Sequence, residues 1–197
     1  MADLVPAHIE RWGIGAAGER RTERVLRPLQ RVGWTITHDL DLPGAGNIDH
    51  LAVGPAGVFV LDSNAWSGIV TVDQDGATIT SRDASDAAWL ARGEHRAATR
   101  TAARAARALA AAAGRTVPVA QSVIVVWSIF PLRVAVSGGV TYVAGEHVHD
   151  WLIGQRACLN RTELAALSAA NIPSLFGSES SHLPQPDLPE GRQPAGL

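Results

Sequence analysis

The chain has 197 residues, enough for one domain with its own core and short for two. Hydrophobic side chains make up 46% and charged ones 18%, and the formal net charge is -2. That balance excludes a disordered polyelectrolyte and a globally basic protein, so any nucleic-acid-binding surface must be local. A single cysteine, Cys158, excludes an intrachain disulfide framework or a thiolate zinc centre. No run reaches the ~18 apolar residues of a membrane span, and residues 1–10 carry no apolar signal core. A soluble cytoplasmic protein is expected. There is no lysine at all, and all 17 basic side chains are arginines. No lysine can therefore serve in any site here.

In chain order, residues 1–15 read as an extended lead-in, with a domain proper over 13–172 after a leader of 1–12. A helix is expected from about Gly15 to Arg27, where Pro28, lacking an N–H, ends or kinks it. Residues 34–42 alternate like a strand, 43–46 form a turn, and 47–53 and 58–64 are strands joined by the tight turn Gly54-Pro55-Ala56-Gly57. Residues 69–72 and 77–80 read as a hairpin with an Asp-Gly turn. An alanine-rich helix is expected over 85–113, stopped by Gly114. The most apolar strand, 119–127, should lie inside the sheet. Strands at 132–136 and 140–143 and short helices at 146–153 and 162–170 follow. Residues 173–197, rich in Pro, Ser and Gly, read as a disordered tail. The order predicts an α/β or α+β fold, a mixed β-sheet covered by helices.

The four-residue turn has a chemical consequence. If Val53 pairs with Val58, the same register carried back along the hairpin sets Asp49 opposite Asp62, on one face of the sheet. Directly opposed residues have Cβ atoms about 4.5–5.5 Å apart. Two carboxylates so placed repel unless a cation or a proton relieves them. Mg²⁺, which binds through one or two carboxylates plus waters and phosphate, is a natural relief. Asn64 shares the face of Asp62. Ser63 turns its side chain away, but its carbonyl edges toward the pair and is a third candidate ligand. The alternative stays open: each aspartate ends its strand near solvent, and a turn one residue different would separate the two.

On the first helix, Glu19 falls at the edge of the buried face, in a first turn where it also suits the helix dipole. Arg92, Arg96, Arg100 and Arg104 recur every four residues on the long helix, with Arg107 beside them. They could follow a phosphate backbone or simply form its solvated face.

Three segments, GAAGERR around Glu19, LPGAGNIDHLAVGPAGVFVLD ending at Asp62, and WSG at Trp66 to Gly68, together resemble the NERD (nuclease-related) domain. That family looks like a branch of the PD-(D/E)xK, restriction-endonuclease-like nucleases, whose core runs helix, three strands, helix, strand (α-β-β-β-α-β). The resemblance implies that Asp49 and Asp62 are metal ligands, that Glu19 is an auxiliary acid, that Mg²⁺ or Mn²⁺ is the cofactor, and that DNA phosphodiesters are hydrolysed. His50 matches an Ile-Asp-His element, but strand alternation turns it to the other face, which reads as structural. The departure is at position 64, where Asn64 stands for the family's lysine and carries no charge. An arginine from the long helix, Arg96 or Arg100, is the candidate substitute. Trp66, next to the site, is the candidate for base stacking. Three readings follow: a DNA-cleaving enzyme, a catalytically inactive module that binds nucleic acid, and an interaction protein whose tail recruits a partner. A homodimer is a further expected partner arrangement.

Overall fold

The computed structural model describes residues 7–42, 46–81, 88–113, 120–170, 172 and 177–178. Helix α1 spans Ala7–Leu26 and continues as a tighter 3₁₀ turn over Arg27–Val32. It starts well before Gly15. Once a helix is nucleated, each added residue gains a hydrogen bond, so Gly13 and Gly15 slow its extension without stopping it. Glu19 consequently sits mid-helix, and the dipole reading of it falls away. Pro28 occupies the start of the 3₁₀ turn, where its missing N–H costs nothing.

Strands β1 (Thr35–Leu42), β2 (Gly46–Gly54) and β3 (Gly57–Asn64) form an antiparallel meander. A small three-stranded sheet follows, from β4 (Ile69–Asp73), β5 (Gly76–Thr80) and β6 (Ala88–Leu90). Its hairpin loop is Gln74-Asp75 rather than Asp-Gly, because Asp73 pairs with Gly76. Strand β6 overturns the expectation that the long helix begins at residue 85. The chain Ala88-Trp89-Leu90 completes β5 by hydrogen bonding, and α2 runs only from Arg92 to Ala113. Strand β7 (Gln121–Val126) then lies parallel to β3. Strands β8 (Val134–Ser137) and β9 (Val140–Ala144) finish that side, followed by α3 (Val148–Ile153) and α4 (Arg161–Ala169). A two-residue strand β10, Gly177–Ser178, pairs with β1, so these two residues of the expected disordered tail are ordered. The turn at 43–45, Gly114 and the rest of the tail lie outside the described residues.

The main sheet has the order β10-β1-β2-β3-β7-β9-β8, with β7 inside it as expected. Its two faces are covered separately. Leu26 and Leu29 from α1 and the turn after it, with Val148 and Leu152 of α3, close one face over Ala52, Phe59, Leu61, Val123 and Val125. On the other, Ala102, Ala105 and Leu109 of α2 bury Leu51, Val53, Val58 and Val60. The alanines let α2 sit close on the sheet. Packing rather than sequence propensity holds both helices in place. The result is a mixed sheet between helices, in the helix, three strands, helix, strand order of the restriction-endonuclease-like fold. Among the described residues no helix is long and apolar enough to cross a membrane.

Candidate functional site

The turn at Pro55-Ala56 pairs Gly54 with Gly57 and Val53 with Val58, and the β2–β3 ladder runs on to His50 opposite Leu61. One further step in that register sets Asp49 opposite Asp62. The ladder stops short of that step. Instead of reaching a β2 carbonyl, the backbone N–H of Ser63 donates to Asp49 Oδ2 at 2.7 Å. Asn64 Nδ2 donates to Asp62 Oδ2 at 2.6 Å. Asp49 and Asp62 thus end in one cavity of about 230 Å³, floored by Ile48, Val60 and Leu61 and walled by Ala97, Ala98 and Thr101 of α2. Small helix side chains leave that room open.

Acidic groups dominate the electrostatics of the cleft. Burial raises the Asp49 carboxyl to about 8, with the charge of Asp62 adding to it. The Ser63 N–H pulls the other way, and Glu19 and Asp39 push further up. Asp62 is also raised, first by burial, against the lowering hydrogen bond from Asn64, with Glu94 raising it again. Glu19 is raised by burial and then by Asp39 and Asp62, while Arg20 lowers it. So Glu19 of α1 comes within electrostatic reach of both aspartates. The adjacent Gly18 packs near Ala65, Trp127 and the Ser63 carbonyl, which brings this part of α1 over the end of β3. Among the described residues no three His, Cys, Asp or Glu side chains converge into a closed ligand set. Two carboxylates beside open space suit Mg²⁺ or Mn²⁺, which keep waters, and do not suit a structural zinc.

Two acids near the cleft have no counterpart in the sequence reading. Glu94 lies in the first turn of α2. Asp39 lies on β1 between the pairs His38–His50 and Leu40–Ile48, and it holds the left-handed backbone, φ 50°, unique among described residues other than glycine. The pleat changes phase there. Ile36 packs under α1, whereas Leu40 and Leu42 join the core under α2. Glycine in a strand ordinarily costs about 0.5–1 kcal/mol. Asp39→Gly is expected to reverse that sign, gaining up to about 1 kcal/mol, because only glycine enters this region without strain. Urea unfolding of the variant checks this, and a loss of stability would show that the Asp39 side chain contributes more than its backbone costs.

The remaining expected site residues are dispersed. His50 is buried on the α1 side, as alternation requires, and burial pushes its imidazole down to about 3. Arg92, Arg96 and Arg100 are exposed on α2, and Arg104 is half-buried. Because Ala97, Ala98 and Thr101 face the cavity, helical spacing sets Arg104 and then Arg100 on its flank, with Arg96 and Arg92 turned progressively away. Trp66 is half-buried against the core under β4 and β5, and its carbonyl accepts a hydrogen bond from Ser128 Oγ at 2.6 Å.

Comparison with known proteins bears on residues 14–127, which match the family model described as "Nuclease-related domain" (NERD). That stretch is more than half of the chain and holds the greater part of α1 and everything from β1 to β7, including the residues of the cleft. No curated protein matches the chain, and no solved structure does.

Proposed function

Since the chain belongs to the nuclease-related (NERD) domain family, we propose that it is a divalent-metal-dependent nuclease that hydrolyses DNA phosphodiesters at the Asp49–Asp62 cleft. One observation carries this reading. Two half-buried carboxylates line one cavity, and burial together with the charge of Asp62 raises the Asp49 carboxyl to about 8. Such a pair is relieved by a proton or by a cation, and a hard divalent cation is one that the donors present can hold.

A bound Mg²⁺ or Mn²⁺ supplies Lewis acidity for the phosphodiester and its attacking water. The protein's share is to hold and to orient. Asp49 and Asp62 hold the cation when both are ionised, and the Ser63 carbonyl is the third donor from the chain. The Ser63 N–H fixes one aspartate and the Asn64 amide the other. Glu19, whose carboxyl burial raises above its ordinary range, is the auxiliary acid from α1. Asn64 stands where a lysine would offset phosphate charge, and can only hydrogen-bond a water. Arg104 and Arg100, on the flank of the cavity, are the arginines placed to offset that charge, ahead of Arg96. The stripe they share with Arg92, together with Trp66, is the proposed contact for the DNA backbone and a base.

A second reading draws on the same Asn64: a pseudo-nuclease that binds nucleic acid without cutting it. Incubation of plasmid and single-stranded DNA with the purified chain in Mn²⁺ separates the two. Cleavage that falls at least 10²-fold in Asp62→Asn is expected. Salt-sensitive DNA binding with no turnover would give the second reading the field. Cleavage undiminished in Asp62→Asn would remove the site.

A further inference from the structure

On the far side of the sheet from the cavity, a buried row of polar side chains takes no part in the chemistry above. His38 Nδ1 meets His50 Nδ1 at 2.7 Å, and His50 Nε2 meets Ser63 Oγ at 3.2 Å. Ser63 Oγ meets Thr22 Oγ1 at 2.7 Å. Thr22 donates to the Gly18 carbonyl at 3.2 Å and accepts from Trp127 Nε1 at 2.7 Å. The row ties β1, β2, β3, α1 and the residue after β7 into one chain of hydrogen bonds. Thr22, His50 and Ser63 are all buried. Buried polar groups are costly unless fully partnered, and once partnered they fix a unique geometry. Both ring nitrogens of His50 are engaged, Nδ1 with His38 and Nε2 with Ser63, which a neutral imidazole serves with one donor and one acceptor.

Midway along this row sits Ser63, whose own peptide reaches the cavity side of the sheet. Ser63 lies two residues past Leu61, the last β3 residue paired with β2, so on its β2 side it has no ladder partner. Its N–H goes to Asp49. In a pleated strand the N–H and C=O of one residue point the same way, so its carbonyl faces the same gap. Sequence spacing carries the link as well: Thr22 lies three residues after Glu19, one turn on along α1.

We propose that Thr22, His50 and Ser63 are positioning residues, whose buried hydrogen-bond chain locks the Ser63 peptide so that its N–H holds Asp49 and its carbonyl faces the ligand. The consequence for metal affinity rests on the nuclease reading, whereas the hold on Asp49 does not. The test is NMR of the metal-free full chain, reading the coupling across the hydrogen bond from Ser63 N to the Asp49 carboxyl carbon and the exchange rate of the Ser63 amide. Thr22→Val keeps the shape and deletes the hydroxyl. It is expected to abolish the coupling and to speed that exchange at least tenfold, and Thr22→Ser is expected to restore both. Trp127→Phe, at the half-exposed end of the chain, gives a smaller change of the same sign and serves if Thr22→Val does not fold. Mg²⁺ should bind Thr22→Val about tenfold more weakly than the parent chain. A folded Thr22→Val protein with unchanged coupling and exchange overturns the proposal. Loss of the coupling in that variant, in a chain whose parent binds no Mg²⁺, sustains the positioning role and defeats only the metal reading.

Discussion

Asp49→Asn is expected to make the metal-free protein more stable at pH 8 while removing its stabilisation by Mg²⁺. The Asp49 carboxyl titrates near 3.8 in the unfolded chain and near 8 in the fold, raised first by burial and then by the Asp62 charge. A raised acid favours its protonated form when folded, so the folded state binds the extra proton between those values. Stability is therefore greatest below pH 4, falls as pH rises toward 8, and is level above. Asparagine cannot ionise, yet its Oδ1 can still accept the Ser63 N–H. The variant should match the parent at pH 4 and exceed it by on the order of a few kcal/mol at pH 8. Mg²⁺ at 100 times its dissociation constant adds about 2.7 kcal/mol to the parent and nothing to the variant. Thermal unfolding with and without Mg²⁺ at the two pH values reads both effects. A variant less stable than the parent at pH 8 without metal would mean that Asp49 is a structural anchor rather than a seat for a cation.

Asn64→Lys should increase Mn²⁺-dependent cleavage by about 10²–10³. The Asn64 amide already reaches Asp62 Oδ2, so a lysine on the same β3 position has its ammonium at the cleft, beside the phosphate. One positive charge there also lowers both aspartates, which moves the pH needed for metal binding downward. The cost is competition with the cation, so a modestly weaker affinity should accompany the faster turnover. A gain in rate would mean that the chemistry survives around position 64 and is only under-powered. No gain, with DNA binding intact, would place the chain with non-cleaving relatives of this fold. If Arg100 or Arg104 already replaces the lysine, its alanine variant should lose rate in the parent and lose less in Asn64→Lys.

Much of this was legible from periodicity and one turn. The apolar alternation of β2 and β3 and the spacing Val53-Gly54-Pro55-Ala56-Gly57-Val58 specify a register, and that register is what brings Asp49 toward Asp62. Elsewhere local sequence and tertiary context disagreed. Ala88-Trp89-Leu90 suits a helix, and only the free edge of β5 makes it a strand. The start of α1 at Ala7 follows from cooperative extension through two glycines that read locally as breakers. Asp39 was invisible because nothing local announces a left-handed residue inside a strand, although the β1–β2 register continued one step finds it opposite Asp49. Glu94 and Thr22 act through helix placement on the sheet, which a single strand's pattern does not encode. The loss of the lysine was plain from composition alone; that Asn64 instead donates to Asp62 required the fold.

The most direct test of the central claim is calorimetric titration of Mg²⁺ into the parent chain at pH 7 in two buffers of different ionisation enthalpy. If the half-buried Asp49–Asp62 pair is the cation's seat, binding must expel the proton that Asp49 holds at that pH. The apparent enthalpy should then differ between buffers by the equivalent of about one proton, and the binding should vanish in Asp49→Asn. Binding that releases no proton, or that persists in Asp49→Asn, would place the cation elsewhere and contradict the account.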